Sequence, residues 1–214
     1  MDPKSVKSYG IREICVILMD LLRSRRSIRR FTDRPVEPDQ LARLVEAAGW
    51  APSNHNRQGW KFIVFRERAM IGELSRKVRL SLTARLEQAN RLVAQRGGEL
   101  LHYATLFDRS PVVVLAMHKK SPAVGRALLE AAGAGAVSSE ALSAAMAVQN
   151  FLLAAHAEGL GACVMTAPLL AADVWAGLDL PMGFEPTCLI ALGWPDEAPP
   201  APRRKPPDQI VEYR

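Results

Sequence analysis

The sequence predicts a single α+β domain, in which helices and strands follow one another without a regular repeat. Its 214 residues are enough to bury a substantial core. Apolar residues make up 49% of the chain, whereas disorder requires low hydrophobicity together with high net charge. Short apolar runs typical of strands are interspersed with segments of helical periodicity. These observations favour a folded domain of mixed structure.

The first part of the chain is predicted to form two helices and a strand. Apolar residues recur at helical spacing over residues 11–22. A second helix is expected to start at Pro38, which suits the first helical position, and to stop at Gly49. Residues 61–65 have the composition of a strand.

A charged helix is predicted from about Ala69 to Gln95, and Gly97-Gly98 is expected to break it. The continuous apolar run of residues 111–117 then predicts a strand that is covered on both faces.

The next predicted element is a long helix, capped by Ser138 or Ser139 and ending near Glu158. Because this helix is apolar on nearly every side, we expect it in the centre of the fold or at a subunit contact. The remaining predicted elements are a strand at 162–166, a short helix at 171–178 and a strand at 187–192.

The last twenty residues, 195–214, contain six prolines. That composition does not suit a packed core. We expect this segment to run extended over a surface, such as that of a partner subunit. We also interpret residues 1–18 as an N-terminal extension to a domain of residues 19–214.

The cysteines and histidines indicate which redox compartment and which metal content to expect. Cys15, Cys163 and Cys188 are far apart and show no CxxC spacing, so neither a zinc site nor a disulfide framework is indicated. Buried thiols in a reducing cytoplasm are the expected state. The four histidines have no metal-ligand spacing either, and no metal is expected.

No stretch approaches the roughly 18 consecutive apolar residues of a membrane span. We therefore expect a cytoplasmic protein that does not bind membranes. The net charge of +6 favours anionic ligands in general. That charge does not select nucleic acid over a phosphate-bearing cofactor.

Two short polar clusters lie on either side of the second helix. The first, residues 25–30, reads Arg-Arg-Ser-Ile-Arg-Arg. Its guanidinium groups and hydroxyl suit a phosphate. The alternative is a solvated basic run at a helix C-terminus, where cations are favoured in any case.

The second cluster, residues 51–60, reads Ala-Pro-Ser-Asn-His-Asn-Arg-Gln-Gly-Trp. Amide side chains offer both donors and acceptors, which suits the polar edge of a flat heterocycle. The alternative is a polar turn that caps its own backbone. His55 fits either interpretation.

These clusters, in this order, resemble the N-terminal signature of the nitroreductase family. Three later segments also resemble that family: the helix Ala147–Gly161, the turn Leu192–Pro195 and the basic C-terminal segment Arg203–Pro206 with Ile210-Val211. The resemblance covers about residues 19–214. It implies a central mixed or antiparallel sheet flanked by helices, in an intertwined homodimer with an extended C-terminal arm and FMN at the subunit interface.

The resemblance also implies roles for particular residues. Arg25 and Ser27 should meet the phosphate and ribityl end of FMN, with Arg29 near the N1 side of the flavin. Asn56 should meet the pyrimidine edge, and Pro52 and Ser53 should come from the opposite subunit. Arg204 should reach the phosphate, with Arg203 or Lys205 as the alternative. The full expected set is Arg25, Arg26, Ser27, Arg29, Pro52, Ser53, Asn54, Asn56, Gln58, Met165, Thr166, Ala167 and Arg204, of which Met165–Ala167 should pass near flavin N5.

Two positions depart from the family pattern. Gly59 stands where the family often has proline, and Ser143 lies near a position that is often acidic. These departures leave FMN binding as expected and leave substrate preference open. Since the flavin carries the hydride chemistry, we expect no essential acid, base or nucleophile among the side chains.

The function implied is electron transfer from NADH or NADPH, through FMN, to nitroaromatic, quinone or similar electron-poor small molecules by a ping-pong mechanism. One alternative keeps the fold and changes the chemistry to dehalogenation, heterocycle oxidation or flavin breakdown. Another is a non-enzymatic basic module for nucleic acid. We expect no nucleic-acid partner, because few aromatic residues accompany the basic ones.

Overall fold

The computed structural model describes residues 11–89, 97–121, 127, 131, 133 and 138–214. An antiparallel sheet of four strands forms its centre, in the order β1-β2-β4-β3. The strands are β1 Trp60–Phe65, β2 Val112–Lys119, β3 Gly161–Met165 and β4 Phe184–Gly193. The predicted α+β class with an antiparallel sheet is therefore confirmed.

Helices cover both faces of this sheet. They are α1 Ile11–Ser24, α2 Pro38–Gly49, α3 Arg68–Glu87, α4 Gly97–Thr105, α5 Ser139–Ala157 and α6 Ala172–Ala176. Helices α2 and α5 pack on one face, and α3, α4 and α6 pack on the other. Ser138 caps α5 by accepting a hydrogen bond from the amide of Ala141, as the sequence predicted.

Strand β2 lies in the middle of the core and contributes to both faces. Val112, Val114 and Ala116 pack towards α2 and α5. The alternate residues Val113, Leu115 and Met117 pack towards α3, α4 and α6. This alternation explains why the strand is a continuous apolar run, and it confirms that the run is covered on both sides.

Three expectations are corrected. Helix α3 ends at Glu87 rather than near Gln95, because its buried stripe ends at Leu82, one turn earlier; residues 90–96 lie outside the described residues. Gly97 does not simply break a helix but begins α4. A Cβ at Gly97 would lie 2.8 Å from Cδ1 of Leu86, so the glycine allows α3 and α4 to approach closely.

The third correction concerns the cysteines, all of which were expected to be buried. Cys15 is exposed, whereas Cys163 and Cys188 are buried.

Two helices leave apolar surface uncovered. Helix α5 buries Phe151 and Ala155 against the sheet but leaves Leu142 53% exposed on its outer side. Helix α1 exposes several apolar side chains, which are Ile14, Val16, Ile17, Leu18, Met19 and Leu22. In the described part of the chain, no helix combines the length and apolarity needed to span a membrane.

The chain leaves the sheet at Trp194. Phe31 and Pro195 form a β-bridge, and the amide of Asp196 donates to the carbonyl of Arg30 at 3.0 Å. Residues 198–214, which we call the arm, follow this anchor. The arm contains a 3₁₀ turn at Pro207–Gln209. The boundary proposed at residue 19 falls inside α1, and residues 1–10 lie outside the described residues.

Candidate functional site

The two predicted polar clusters lie at opposite edges of the sheet. Residues 52–58 lead directly into β1, which is one edge strand. Ser27 forms a parallel bridge with Ala162 of β3, which is the other edge strand. Three interstrand spacings of about 4.8 Å separate the two edges, or about 14 Å. A single chain therefore does not bring the two clusters together.

We call one side the edge half: residues 25–29 together with 165–167. The amide of Ile28 donates to the carbonyl of Ala162 at 3.1 Å, and the Ile28 side chain is buried. A Cβ at Gly161 would lie 2.7 Å from Cβ of Ile28, so only glycine permits this approach. Residues 25–29 thus extend the sheet at the edge of β3.

Glu197 fixes the end of this segment. Its carboxylate accepts hydrogen bonds from the backbone amides of Arg29 at 2.5 Å and Arg30 at 3.2 Å. The backbone is held from the C-terminal side of the chain, while the side chains of Arg29 and Arg30 are exposed. Glu197 was not among the predicted site residues.

The edge half carries positive charge without a matching carboxylate. Among the described residues, no carboxylate lies within 4.0 Å of the guanidinium groups of Arg25, Arg26 or Arg29. Arg26 donates from Nη1 to the carbonyls of Arg23 and Arg25, and its buried Nε has no hydrogen-bond partner there. Such a cluster suits a phosphate, because guanidinium donors match phosphate oxygens.

A histidine behind these arginines is held neutral. Nε2 of His156 lies 2.7 Å from Oγ of Ser24. Burial lowers the pKa of His156, and the nearby charges of Arg25 and Arg26 lower it further. His156 thus adds no positive charge of its own to the cluster near neutral pH.

The segment after β3 completes the edge half. Met165 is buried as the last residue of the strand, and Thr166 is exposed. Ala167 is half-buried and begins a 3₁₀ turn that ends at Leu170. Since Ser27 bridges the first part of the same strand, the fold does bring 165–167 and 25–29 to a common edge.

We call residues 52–58 the loop half. Three non-glycine residues here have positive φ: His55 at 51°, Asn56 at 52° and Gln58 at 48°. Such backbone is uncommon outside glycine and persists where surrounding contacts hold it. The exposed amide side chains of Asn56 and Gln58 touch each other through a 3.3 Å hydrogen bond.

Contacts within the same chain hold this strained backbone. Ser53 Oγ accepts from the amide of Gln58 at 2.9 Å. Ser143 Oγ, on α5, accepts from the amide of Asn54 at 3.1 Å, and the Asn54 side chain donates to Ser139 at 3.0 Å. Ser143 therefore fastens the loop to α5.

A buried carboxylate lies one turn earlier on α5. Glu140 accepts hydrogen bonds from the hydroxyls of Ser121, Ser138 and Ser139 at 2.9–3.1 Å. Its other oxygen lies 3.7 Å from Nη1 of Arg57 in the loop. Burial alone would raise the pKa of Glu140, but these hydrogen bonds outweigh burial and hold it below its usual value. An ionised anchor that was not predicted thus fixes the loop.

The structure does not bring Arg204 to either half. Arg204 is exposed. Among the described residues, the arm makes hydrogen bonds only within itself, as from the amide of Gln209 to the carbonyl of Pro206. Sequence reasoning missed Glu140 and Glu197, since isolated acidic residues carry no motif that signals a distant partner.

Comparison with known proteins identifies the family. The profile described as "Nitroreductase family" matches residues 22–194. This chain belongs to the nitroreductase family. A Streptococcus pyogenes relative, named "Putative NAD(P)H nitroreductase", is 28% identical over 92% of this chain and 98% of its own length. The 5,6-dimethylbenzimidazole synthase of Rhodospirillum rubrum is 27% identical, over 85% of this chain and 83% of its length.

Solved structures show the same nitroreductase fold. A BluB-like flavoprotein from Clostridium difficile superposes with a TM-score of 0.79 at 23% identity, covering 92% of this chain and 98% of that protein. A nitroreductase with bound FMN from Bacteroides fragilis superposes with a TM-score of 0.68 at 16% identity, covering 92% and 98%. These structures show that the chain has the nitroreductase fold.

Proposed function

We propose that this protein is an FMN-dependent oxidoreductase that passes electrons from NADH or NADPH to nitroaromatic, quinone or similar electron-poor acceptors. The observation that carries the proposal is the pair of complementary half-sites. The edge half offers guanidinium groups without carboxylate partners, and the loop half offers exposed amides on a fixed backbone. The FMN bound by the related structure has both a phosphate and a flat polar heterocycle.

The proposal requires two chains for each site. In a two-fold dimer, the loop half of one chain can lie opposite the edge half of its partner. The uncovered surfaces of the chain support such an assembly: α1, the outer side of α5, and the arm, where Ile210 is 72% and Tyr213 is 90% exposed. The six exposed apolar side chains of α1 lie on a single helix, and apolar patches larger than isolated residues mark interaction sites.

Each residue then has a defined task. The phosphate is held by Arg25 and Ser27, together with Arg204 from either chain of the dimer. Arg26 supports this cluster. Arg29 places positive charge beside the N1 side of the ring, where reduction adds negative charge. The bound FMN supplies the hydride chemistry.

The loop half orients the ring. Asn56 and Gln58 meet the donors and acceptors of the pyrimidine edge, and Pro52, Ser53 and Asn54 set the backbone that carries them. Residues 165–167 line the N5 side, which must stay open to the nicotinamide donor and then to the acceptor. No side chain needs to act as acid, base or nucleophile.

An anaerobic absorbance spectrum of the purified protein tests the proposal. We expect flavin bands that bleach on addition of NADH or NADPH, which also identifies the donor. A protein that binds no flavin after incubation with FMN would contradict the proposal. Salt-sensitive retention on DNA by such a flavin-free protein would instead support the nucleic-acid module.

A second candidate is a nitroreductase-fold flavoprotein with different chemistry. The similarity to a 5,6-dimethylbenzimidazole synthase favours it, because that relative matches nearly as well as the one named for NAD(P)H. Under this alternative, flavin binds but neither nicotinamide donor bleaches it. The same spectrum therefore separates the two candidates.

A further inference from the structure

We propose that a second site, lined by three arginines, binds a small phosphate-bearing anion. A cavity of about 330 Å³ lies where three segments meet: the chain before α2, the start of α3 and the start of β2. Arg66, Arg68 and Arg109 line it, together with Asp33. This cavity, which we call the arginine pocket, shares no residue with the edge half or the loop half.

The charge in the pocket is unbalanced. Of the residues that line it, Asp33 is the one carboxylate against three guanidinium groups. Among the described residues, none of these arginines lies within 4.0 Å of a carboxylate. Like charges gathered in a concave surface repel one another and focus a positive potential, so an anion bound there relieves the repulsion.

The walls of the pocket are partly apolar. Val36 and Val112 belong to the core and are 1% and 2% exposed. Arg66 donates from Nη2 to the carbonyl of Val36 at 3.1 Å, which fixes its guanidinium at the rim. Arg66, Arg68 and Arg109 are themselves exposed, so they would hold an anion at the surface through their charge and their paired hydrogen-bond donors.

The chemistry favours phosphate over other anions. Arginine presents paired donors that match two phosphate oxygens at once, and the three guanidinium groups offer more donors than a single carboxylate can use. Asp33 supplies an acceptor for a hydroxyl or amine on the same ligand. We therefore assign the pocket to a small phosphomonoester. The volume of the pocket is at the lower end of the range that is usual for ligand sites, which suits a small ligand.

Isothermal titration calorimetry with inorganic phosphate tests this site. The 214-residue chain is first saturated with FMN, and the ionic strength is kept constant. We expect saturable binding that the double variant Arg68→Gln/Arg109→Gln weakens at least tenfold. Arg76→Gln, an exposed arginine on the same helix, is the matched control and should bind as the wild type does.

Two further measurements keep the test decisive. Phosphate should raise the melting temperature of the wild type more than that of the double variant, and the melting curve also shows whether the variant is folded. Arg25→Gln, in the predicted flavin site, should leave phosphate binding to the arginine pocket unchanged. Equal phosphate binding by the wild type and a folded double variant, or no saturable binding at all, would overturn the proposal whatever the flavin spectrum shows.

Discussion

The loop half and the edge half differ in what holds them. The loop half is fastened within its own chain, by Ser53, by Ser143 and by the buried Glu140. The backbone of the edge half is fixed by β3 and by Glu197, but the arm that should complete it makes hydrogen bonds only within itself in the described part of the chain. We therefore propose that the loop half is preorganised within its own chain, whereas the edge half is completed when two chains assemble.

Removal of residues 199–214 should produce the largest effect. This truncation keeps Glu197 and its hydrogen bonds to the edge half, so the domain should still fold. We expect loss of bound FMN and a shift from dimer to monomer, because the arm carries Arg204 and exposed apolar residues. Light scattering and the absorbance of the flavin measure both. A truncated protein that stays dimeric and yellow would show that the arm is dispensable.

The substitution Arg29→Ala should have the next largest effect. We expect FMN affinity or the rate of flavin reduction to fall about tenfold or more, because a hydrogen bond to a charged group contributes about 1.5–3 kcal/mol. The backbone amide that binds Glu197 remains in this variant. Arg23→Ala removes another exposed arginine from the same region and should change neither quantity. Unchanged FMN occupancy and reduction rate in Arg29→Ala would exclude its assigned role.

Glu140→Gln should have a smaller effect, which falls on the loop half alone. The amide keeps the shape of the side chain but weakens the bonds from three hydroxyls and the attraction to Arg57. We expect a loss of about 1–3 kcal/mol in the free energy of unfolding and a several-fold weaker affinity for FMN, with the dimer intact. Denaturant titration and flavin fluorescence measure these. Glu46→Gln, an exposed glutamate on α2, serves as the control; if both variants behave alike, Glu140 does not position the loop.

The smallest expected effect is a pH dependence of the free energy of unfolding, which arises from His156 behind the edge half. Burial, Arg25 and Arg26 lower the pKa of His156 below 6.5 in the folded state. Between that lowered value and 6.5 the unfolded chain binds more protons, so the free energy of unfolding should fall as the pH falls through this range. Burial also lowers the pKa of His118, against the opposing charge of Glu185, and adds to the same trend.

His156→Gln should flatten this pH dependence without abolishing it, because His118 remains. Denaturant titrations at several pH values below 7 measure the slope. An identical slope in the wild type and the variant would show that His156 does not titrate with folding.

Local patterns predicted most of the elements. Helical spacing predicted α1, and the continuous apolar run predicted β2 with both faces covered. Helix α4 was missed because Gly97 and Gly98 are poor helix formers. Their place in the helix depends on packing, since Gly97 lies against Leu86 of α3.

The arrangement of the site depends on long-range pairing, which local patterns do not encode. The motifs supplied the residues of both halves, but the strand order that places those halves at opposite edges appears only in the fold. The anchors were missed for the same reason. Glu197 binds the amide of Arg29 across 168 positions of sequence, and Glu140 reaches Arg57 from a different element.

We propose that each flavin site takes one half from each of two chains, and subunit complementation provides a direct test. Arg29→Ala impairs the edge half, and Asn56→Asp places a carboxylate in the loop half while keeping a residue that tolerates positive φ. Each variant alone should bind FMN poorly. After the two are unfolded and refolded together, random pairing should restore about one quarter of the sites, because one site of each mixed dimer is intact. No recovery of FMN binding, with mixed dimers demonstrated by mass spectrometry, would contradict the claim.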